Sequence, residues 1–409
     1  MKICIVTHTV QKGDGQGRVN YEVVQEAIRR GYNITLLASY VDLELQQSHH
    51  VKWVPISVKG WPTEFVRNMV FAIKSTKWLN KHRSQLDVVK VNGAITNAPG
   101  NVNAVHFVHN SWLKFNTQKT QIKSYNFVYN FYQWLYTTLN AYWEKQAFAK
   151  AQVIVAVSEK VADDLLAIGV PPTSIKVILN GVDLQEFSPG ISGAPRQKWQ
   201  LPKGVPLALF AGDIRLARKN LDTVLHALVQ VPELHLAVAG NTQGSPYLQL
   251  VESLRLGERV HFLGQRSDVP ELMKAVDFLV FPSRYEPFGL VVIEAMASGL
   301  PVITASSTGA ADLVTTESGI VLEDADDPDA LTKALQLLSS DCAGGDRTLC
   351  QKMGKAARVV AEQHSWTKMA QTYLDLFEEL INHEKYSSHP HLSPSIGSVT
   401  LPVSTTSPN

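Results

Sequence analysis

Cysteine is scarce in this sequence: Cys4, Cys342 and Cys350 are the only three among 409 residues, and no two share a CxxC spacing. An odd number without motif spacing argues against a disulfide-stapled secreted scaffold and against a structural zinc module. Long apolar runs are missing as well. Nothing approaches the ~18–20 consecutive apolar residues of a membrane span. The start, Met1-Lys2-Ile3-Cys4-Ile5-Val6-Thr7-His8, turns polar too soon for the core of a secretory signal and reads as a buried first strand, so the default location is the cytoplasm. Net charge is nearly absent, with 38 Lys+Arg facing 37 Asp+Glu. The composition is globular, 45% hydrophobic and 18% charged, and the length suits two or three domains of roughly 100–200 residues each.

Near-neutrality hides an asymmetry. Residues 1–190 hold 20 Lys+Arg against 13 Asp+Glu, a net +7, whereas residues 191–409 hold 18 against 24, a net −6. Such a split can steer an acidic substrate or an anionic membrane surface toward the first half; ordinary drift in surface charge would give the same counts. No segment reads as a nucleic-acid-binding module.

What the sequence does contain is alternation. Strand-like runs at residues 2–7, 33–38, 88–91, 104–108, 153–157 and 176–179 are separated by helical patterns. The first helix runs from about Arg18, with Val19, Val23, Val24, Ala27 and Ile28 at helical spacing, to Gly31. The rhythm lapses over residues 180–200, where Ser188-Pro189-Gly190-Ile191-Ser192-Gly193-Ala194-Pro195 reads as a linker. It restarts with strands at 207–211, 234–239, 260–263, 278–281, 301–305 and 319–322 and a helix at 221–231. This predicts an α/β chain of two Rossmann-like, doubly wound parallel-sheet domains facing a cleft, residues 1–190 and 200–365. A Ser-, Pro-, His- and Thr-rich tail at 384–409 is expected to be disordered. Sheets of this kind bind ligands outside the carboxyl ends of their strands, so the loops that follow strands should hold the chemistry.

The strongest signal follows the run 277–282. Pro287 and Gly289 make a turn, a helix begins near Gly289 and ends before Gly299, Glu286 is left in the loop to accept hydrogen bonds from hydroxyls, and Glu294 sits more than a turn into the helix. The backbone N–H groups of Gly289, Leu290 and Val291 suit a phosphate, which the helix dipole favours. Phe281-Pro282-Ser283, Glu286-Pro287-Phe288-Gly289 and Glu294-Ala295-Met296-Ala297-Ser298-Gly299-Leu300-Pro301-Val302-Ile303 together resemble the retaining glycosyltransferases of family 4, which have the GT-B fold. The resemblance extends over about residues 1–383. It implies that Glu286 contacts hydroxyls of a donor sugar, Glu294 the donor's ribose, and the turn amides the diphosphate.

A second signal, Gly212-Asp213-Ile214-Arg215-Leu216-Ala217-Arg218-Lys219-Asn220, lies between a strand and a helix. Cations there would neutralise charge developing on a departing diphosphate. The family places Arg directly after the Gly and Lys six residues later. Lys219 matches, Asp213 occupies the Arg position, and Arg215 or Arg218 is expected to supply the guanidinium. Without the resemblance, three basic residues before a helix read as a solvated surface. The loop Lys12-Gly13-Asp14-Gly15-Gln16-Gly17-Arg18 is no dinucleotide fingerprint. It is similar to the family's N-terminal Gly loop, which implies that Gly15, Gln16 and Gly17 lie beside the donor phosphate or acceptor; a tight turn explains the glycines nearly as well. His109, at the end of the run 104–108, matches the family's histidine near the transferred sugar, while His106, on the opposite face by alternation, reads as structural. Val91-Asn92-Gly93-Ala94 departs from the family's His-containing segment.

Asp324-Ala325-Asp326 and Glu362-Gln363-His364 do not read as metal sites. No metal or cofactor is expected beyond the nucleotide diphosphate sugar as co-substrate. The amphipathic stretch 366–383 either crosses back to the first domain, as in this fold, or simply ends the second. Basic and aromatic residues interleave at 63–83 (Arg67, Lys74, Lys77 and Lys81 among Phe65, Phe71 and Trp78). They do so again at 112–148 (Lys114, Lys119, Lys123 and Lys145 among Phe115, Tyr125, Phe127, Tyr129, Phe131, Trp134, Tyr142 and Trp143). That pattern fits a peripheral surface at the inner face of a membrane, or the core contacts of helices packed on the first sheet. The implied activity is hexosyl transfer with retention, from a nucleotide diphosphate sugar to a hydroxyl of a glycan or lipid-linked acceptor, in glycan, polysaccharide or glycolipid biosynthesis. Glu286, Lys219 and His109 would be catalytic. Two rivals stand beside it: a sugar-nucleotide epimerase of the same architecture, and a nucleotide-sugar-binding protein without turnover, which Asp213, Gln16 and Asn92 leave open.

Overall fold

The computed structural model describes residues 1–13, 15–113, 127–190, 196–344 and 347–387, with backbone alone at 127–130 and 384–387. The first half runs β1 (Lys2–Val6), β2 (Thr9–Val10), α1 (Gly15–Arg29), β3 (Asn33–Ala38), β4 (Tyr40–Val41), α2 (Leu43–Gln46), β5 (Val51–Pro55), α3 (Glu64–His82), β6 (Val88–Asn92), β7 (Val102–Val105), α4 (Phe127–Phe148), β8 (Val153–Ala156), α5 (Glu159–Ala167) and β9 (Ile175–Val177). The second half runs β10 (Leu207–Ala211), α6 (Leu221–Val229), β11 (His235–Ala239), α7 (Tyr247–Ser253), β12 (Val260–Gly264), α8 (Val269–Met273), β13 (Phe278–Phe281), α9 (Leu290–Ala297), β14 (Val302–Ala305), β15 (Gly319–Leu322), α10 (Pro328–Ala343), α11 (Thr348–Glu362) and α12 (Trp366–Ser387).

The strands form two parallel sheets, ordered β5-β3-β1-β6-β7-β8-β9 and β12-β11-β10-β13-β14-β15, and a small β2–β4 pair. Strands such as Leu-Ala-Leu-Phe-Ala in β10 and Val-Ile-Thr-Ala in β14 are buried along their whole length, because helices cover both faces of a parallel sheet and leave no solvent side to alternate toward. Strand order reverses between β1 and β6 in one sheet and between β10 and β13 in the other. Connections leave such a point in opposite directions, and a crevice opens there. The segments leaving β10 and β13 are the two that carry the charged motifs.

Several boundaries differ from the sequence pattern. β7 ends at Val105 rather than 108 because its neighbours run out: Val105 pairs with Ala156, the last residue of β8. His106 therefore lies beyond the ladder and His109 opens a helical turn at 109–113. α1 starts at Gly15, ahead of Arg18, so Gly15, Gln16 and Gly17 are its first turn; Asp14 lies outside the described residues. In the linker, residues 191–195 also lie outside them, and Arg196 fixes the rest by donating to the Asp277 carboxylate (3.0 Å) and to the Ala275 carbonyl (2.8 Å). α12 continues to Ser387, four residues past the expected start of the tail, and residues 388–409 lie outside the described residues. Cys342 and Cys350, which share no motif spacing, meet between α10 and α11 as free thiols with sulfurs 2.9 Å apart.

α12 packs on α1, and Trp366, Met369, Tyr373, Leu374 and Phe377 share a core with Val19 and Val23 of α1 and with Ile3 and Ile34 of the first sheet. Arg30 also reaches Asp375 (2.8 Å) and Glu378 (2.7 Å), but those carboxylates are exposed and water-screened, so the apolar contact dominates. Phe377→Ala is expected to lower unfolding stability by about 3–5 kcal/mol. Asp375→Ala, which removes an exposed partner of Arg30, should cost only about 1 kcal/mol. Urea titration followed by circular dichroism distinguishes the two, and equal losses would contradict the assignment.

Candidate active site

The loop after β10 ends in a single 3-10 turn, Ala217–Lys219, closed by Asn220 at φ 66°. The Asn220 side-chain amide donates to the Pro282 carbonyl (2.9 Å), and the Ser283 hydroxyl and Arg284 N–H both donate to the Arg218 carbonyl (2.8 Å each). These bonds tie the β10 and β13 loops edge to edge. Two cations emerge from one loop against the carboxylate of the other: Arg218 donates to Glu286 Oε2 at 2.7 Å, and Lys219 Nζ donates to the same oxygen while standing 4.9 Å from the Phe281 ring centre. The Arg218, Lys219 and Glu286 side chains are 21%, 12% and 13% exposed, dry enough that unpaired charge would be costly. Burial pushes the Glu286 carboxyl up, but the charges and hydrogen bonds of Lys219 and Arg218 outweigh it, and the group is held below its ordinary value as an anion.

Two expectations are corrected here. Glu286 is not a free loop carboxylate; one oxygen is taken by two cations, and among the described residues nothing donates to Oε1. Of the two arginines, Arg218 and not Arg215 faces this site. Asp213 draws Arg215 into a bidentate pair at 2.8 and 2.7 Å on their own loop, with the Arg215 side chain half exposed. In the D-x-D stretch, Asp326 pairs with Arg284, which also grips Asp222 at 2.6 Å, and Asp324 accepts the Asp326 N–H. These carboxylates brace the β13 loop.

Gly289 has φ 90°, and a Cβ there would lie 2.8 Å from Thr308 Cγ2, so only glycine makes this turn into α9. Beyond it, Leu290 and Val291 begin the helix as the phosphate reading requires, and Leu290 lies against Gly15: a Cβ on Gly15 would be 3.5 Å from Leu290 Cδ1. The two candidate phosphate loops thus meet across the domains. Glu294 is pushed up to about 7 by burial and by Glu186, with Arg18 opposing; Arg18 itself is held by Glu22 (2.7 Å) and Asp183 (3.2 Å).

The first domain supplies residues that the sequence pattern did not single out. Tyr285 stands edge-on to Phe107 (5.6 Å), beneath Lys160 (5.3 Å), and its hydroxyl donates to Asp164 (3.2 Å); the Ser158 hydroxyl donates to the Pro287 carbonyl at 2.5 Å. Glu286 lies between these two anchors. His109 is oriented by Glu144, which contacts Nδ1 at 2.6 Å and accepts the His109 N–H at 2.9 Å. A carboxylate on one ring nitrogen fixes the direction of the other. Glu144 had a legible signal, since it is the lone acidic residue between Asp87 and Glu159. So had Lys90, a lysine inside an apolar strand. Fully buried, it donates to Asn20 (2.6 Å) and Asn92 (3.2 Å), and Asn20 in turn donates to the Gln16 carbonyl (3.1 Å), anchoring the Gly-rich turn. Burial drops the Lys90 amine to about 7 and, with Lys90 adding to it, the His106 ring to about 3.

Two facing parallel-sheet domains with their charged loops at the switch points define the GT-B class. Sucrose-phosphate synthase from Thermosynechococcus elongatus shares the fold at a TM-score of 0.75 and 20% identity, over 93% of this chain and 99% of that one. HepE of Anabaena, solved with UDP and glucose, shares it at 0.66 and 19%, over 92% and 99%. The family described as Glycosyltransferase Family 4 matches residues 13–186, and Glycosyl transferases group 1 matches residues 193–360. The chain belongs to the family 4 glycosyltransferases. A D-inositol 3-phosphate glycosyltransferase of Xylanimonas cellulosilytica is 32% identical over 251 residues, which span 58% of this chain and 59% of that relative.

Glu294 makes stability depend on pH. The folded protein keeps this proton up to about pH 7, whereas the unfolded chain releases it near 4.5, so its contribution falls as pH rises through that window. Glu294→Gln, which cannot ionise, should gain stability relative to wild type between pH 5 and pH 8. Urea unfolding of both proteins at the two pH values would show this, and a constant difference would rule it out.

Proposed function

We propose that the protein is a retaining, metal-independent glycosyltransferase that moves a hexose from a nucleotide diphosphate sugar to an acceptor hydroxyl. One observation carries this reading: Lys219 and Arg218 converge on Glu286 at the adjacent carboxyl ends of β10 and β13, beside the N-terminus of α9. The diphosphate would lie against the two cations and the Leu290–Val291 amides, where the helix dipole adds to the attraction. As the bond from the anomeric carbon to the phosphate oxygen breaks, Lys219 and Arg218 stabilise the charge on the leaving group. The acceptor hydroxyl bonds to the anomeric carbon from the same face and gives its proton to the departing phosphate oxygen. Glu286 orients sugar hydroxyls, and His109, aimed by Glu144, supports the sugar from the first domain. An epimerase would need a base poised at a sugar carbon, and the Glu286-to-Glu294 motif argues against it.

Incubating the full chain with labelled UDP-, GDP- and ADP-sugars separates transfer or slow hydrolysis from epimer formation and from binding alone. The UDP bound by HepE makes uridine donors the first to try. Glu286→Ala should abolish transfer while leaving UDP affinity within about a factor of ten. Lys219→Ala should weaken UDP and cut kcat by ~10² or more, with no effect of chelator. Activity that requires a divalent ion and survives Lys219→Ala would overturn the scheme.

Peripheral membrane contact is a second reading, favoured by one surface. Trp61, Met69, Ile73, Phe131, Trp134 and Tyr142 are all exposed on or beside α3 and α4, which meet where Phe65 stacks on Trp143 at 5.6 Å. Exposed Arg67, Lys74, Lys77, Lys81 and Lys145 flank them. Phe71 and Phe148 are buried, as core contacts would be. Lys114, Phe115, Lys119, Lys123 and Tyr125, and the side chains of Phe127 and Tyr129, lie outside the described residues. No described helix is long and apolar enough to cross a membrane. Co-sedimentation with anionic liposomes should fall as salt rises, each near-surface cation contributing ~1 kcal/mol that ions screen. Equal binding to neutral and anionic vesicles would leave these aromatics without a membrane role.

A further inference from the structure

A cavity of about 300 Å³ lies in the first domain beside the Gly-rich turn, with Gln16 and His109 in its wall. Its chemistry differs from that of the cationic donor loops. Asn68, Asn92 and Asn140 contribute neutral amides, and Tyr136 and Trp143 contribute rings. Met69, Ile73 and Ile95 add apolar surface, and two carboxylates are present: Glu144, whose oxygens are occupied by His109, and Glu64, exposed at the start of α3. No lysine or arginine lines it among the described residues. Three nitrogens within this wall, His8 Nε2, Asn92 Nδ2 and His106 Nε2, are buried and have no partner among the described residues. Buried polar atoms are almost always paired, so a trio at one cavity marks a place where hydroxyls or water complete the bonding. Both histidines are neutral near pH 7, since burial lowers His8 and brings His106 to about 3.

We infer that this cavity receives an uncharged, hydroxyl-bearing ring, a sugar or cyclic polyol, as the acceptor and discriminates against its phosphorylated form. The inference rests on the transferase reading and names the acceptor's chemical class. An amide offers both a donor and an acceptor, which matches hydroxyls that do the same, and the apolar face of a sugar ring packs on Tyr136 or Trp143. A phosphate would bring negative charge toward Glu64 and find neutral imidazoles in the wall, and the Lys90 amine behind that wall is already engaged by Asn20 and Asn92; like charges brought together in this way select against a partner. His109 marks the end of the cavity where an acceptor hydroxyl would face the transferred sugar.

The test is binding to the full chain, measured by saturation-transfer NMR and calorimetry with and without saturating UDP. The probes are methyl hexopyranosides, myo-inositol, the corresponding methyl hexopyranoside 6-phosphates and inositol 1-phosphate. At least one neutral ring should bind, with its phosphorylated counterpart at least about tenfold weaker. Trp143→Ala should abolish ring binding while leaving UDP affinity unchanged. Glu64→Lys, a surface change that keeps the cavity's shape, should narrow the gap between neutral and phosphorylated rings. Phosphorylated rings binding as tightly as neutral ones, or no ring binding at all, would overturn the inference. Failure of UDP to bind would count against the transferase reading instead, and ring binding without UDP would still decide this one.

Discussion

One carboxylate balancing two cations in a nearly dry crevice is the constraint on which the rest of the second domain depends. Ions removed from water must be paired, and the cost of leaving one alone exceeds what most packing contacts return. Glu286 leaves β13 and its partners leave β10, so the pairing joins the two strands on either side of the switch point where their connections diverge. The supporting bonds serve this arrangement: Asn220 and Ser283 bind the loops to each other, and Asp222 and Asp326 hold Arg284 behind them. On the proposed reaction, a diphosphate takes over the cations and frees Glu286 for sugar hydroxyls, so one set of charges serves both the resting loop and the leaving group.

The same loop is fixed from the other domain. Tyr285 and Pro287, on either side of Glu286, are held by Asp164 and Ser158. The Ser158 hydroxyl, at the N-cap of α5, donates to the Pro287 carbonyl and so sets how far the Glu286 loop stands from the first sheet. α12 adds a second tie, returning to pack on α1, whose first turn meets Leu290. Lys90 connects these parts: it holds Asn20, and through it the Gln16 carbonyl, and stands 5.3 Å from the ring centre of Tyr373 on α12.

Much of the fold was legible because its signals are local. Fully apolar strands separated by helical periodicity can only be a sheet covered on both sides, and Gly289 before α9 is a turn that only glycine makes. The errors fell where non-local pairing decides. β7 stops at Val105 because β8 ends opposite it, and no property of His106, Phe107 or Val108 records the length of a neighbouring strand. β5 was missed because its lysine, tryptophan and proline interrupt any simple pattern, and it is set by its register against β3.

At the site, sequence spacing placed Lys219, Glu286 and Gly289 in the segments leaving β10 and β13 and Glu294 within α9, where the structure has them, because strand-to-helix turns at fixed positions bring their residues to the same end of the sheet. It could not choose between Arg215 and Arg218. That choice depended on Asp213, which draws Arg215 onto its own loop and leaves Arg218 to Glu286. Glu144 against His109, Ser158 against Pro287, and Lys90 beneath the Gly-rich turn were decided only by tertiary structure. In each pair the partners are 35 to 129 residues apart, or are linked through a third side chain. Spacing along a chain determines which face and which end of an element a residue occupies; which charge or hydroxyl it meets there depends on how separate elements pack.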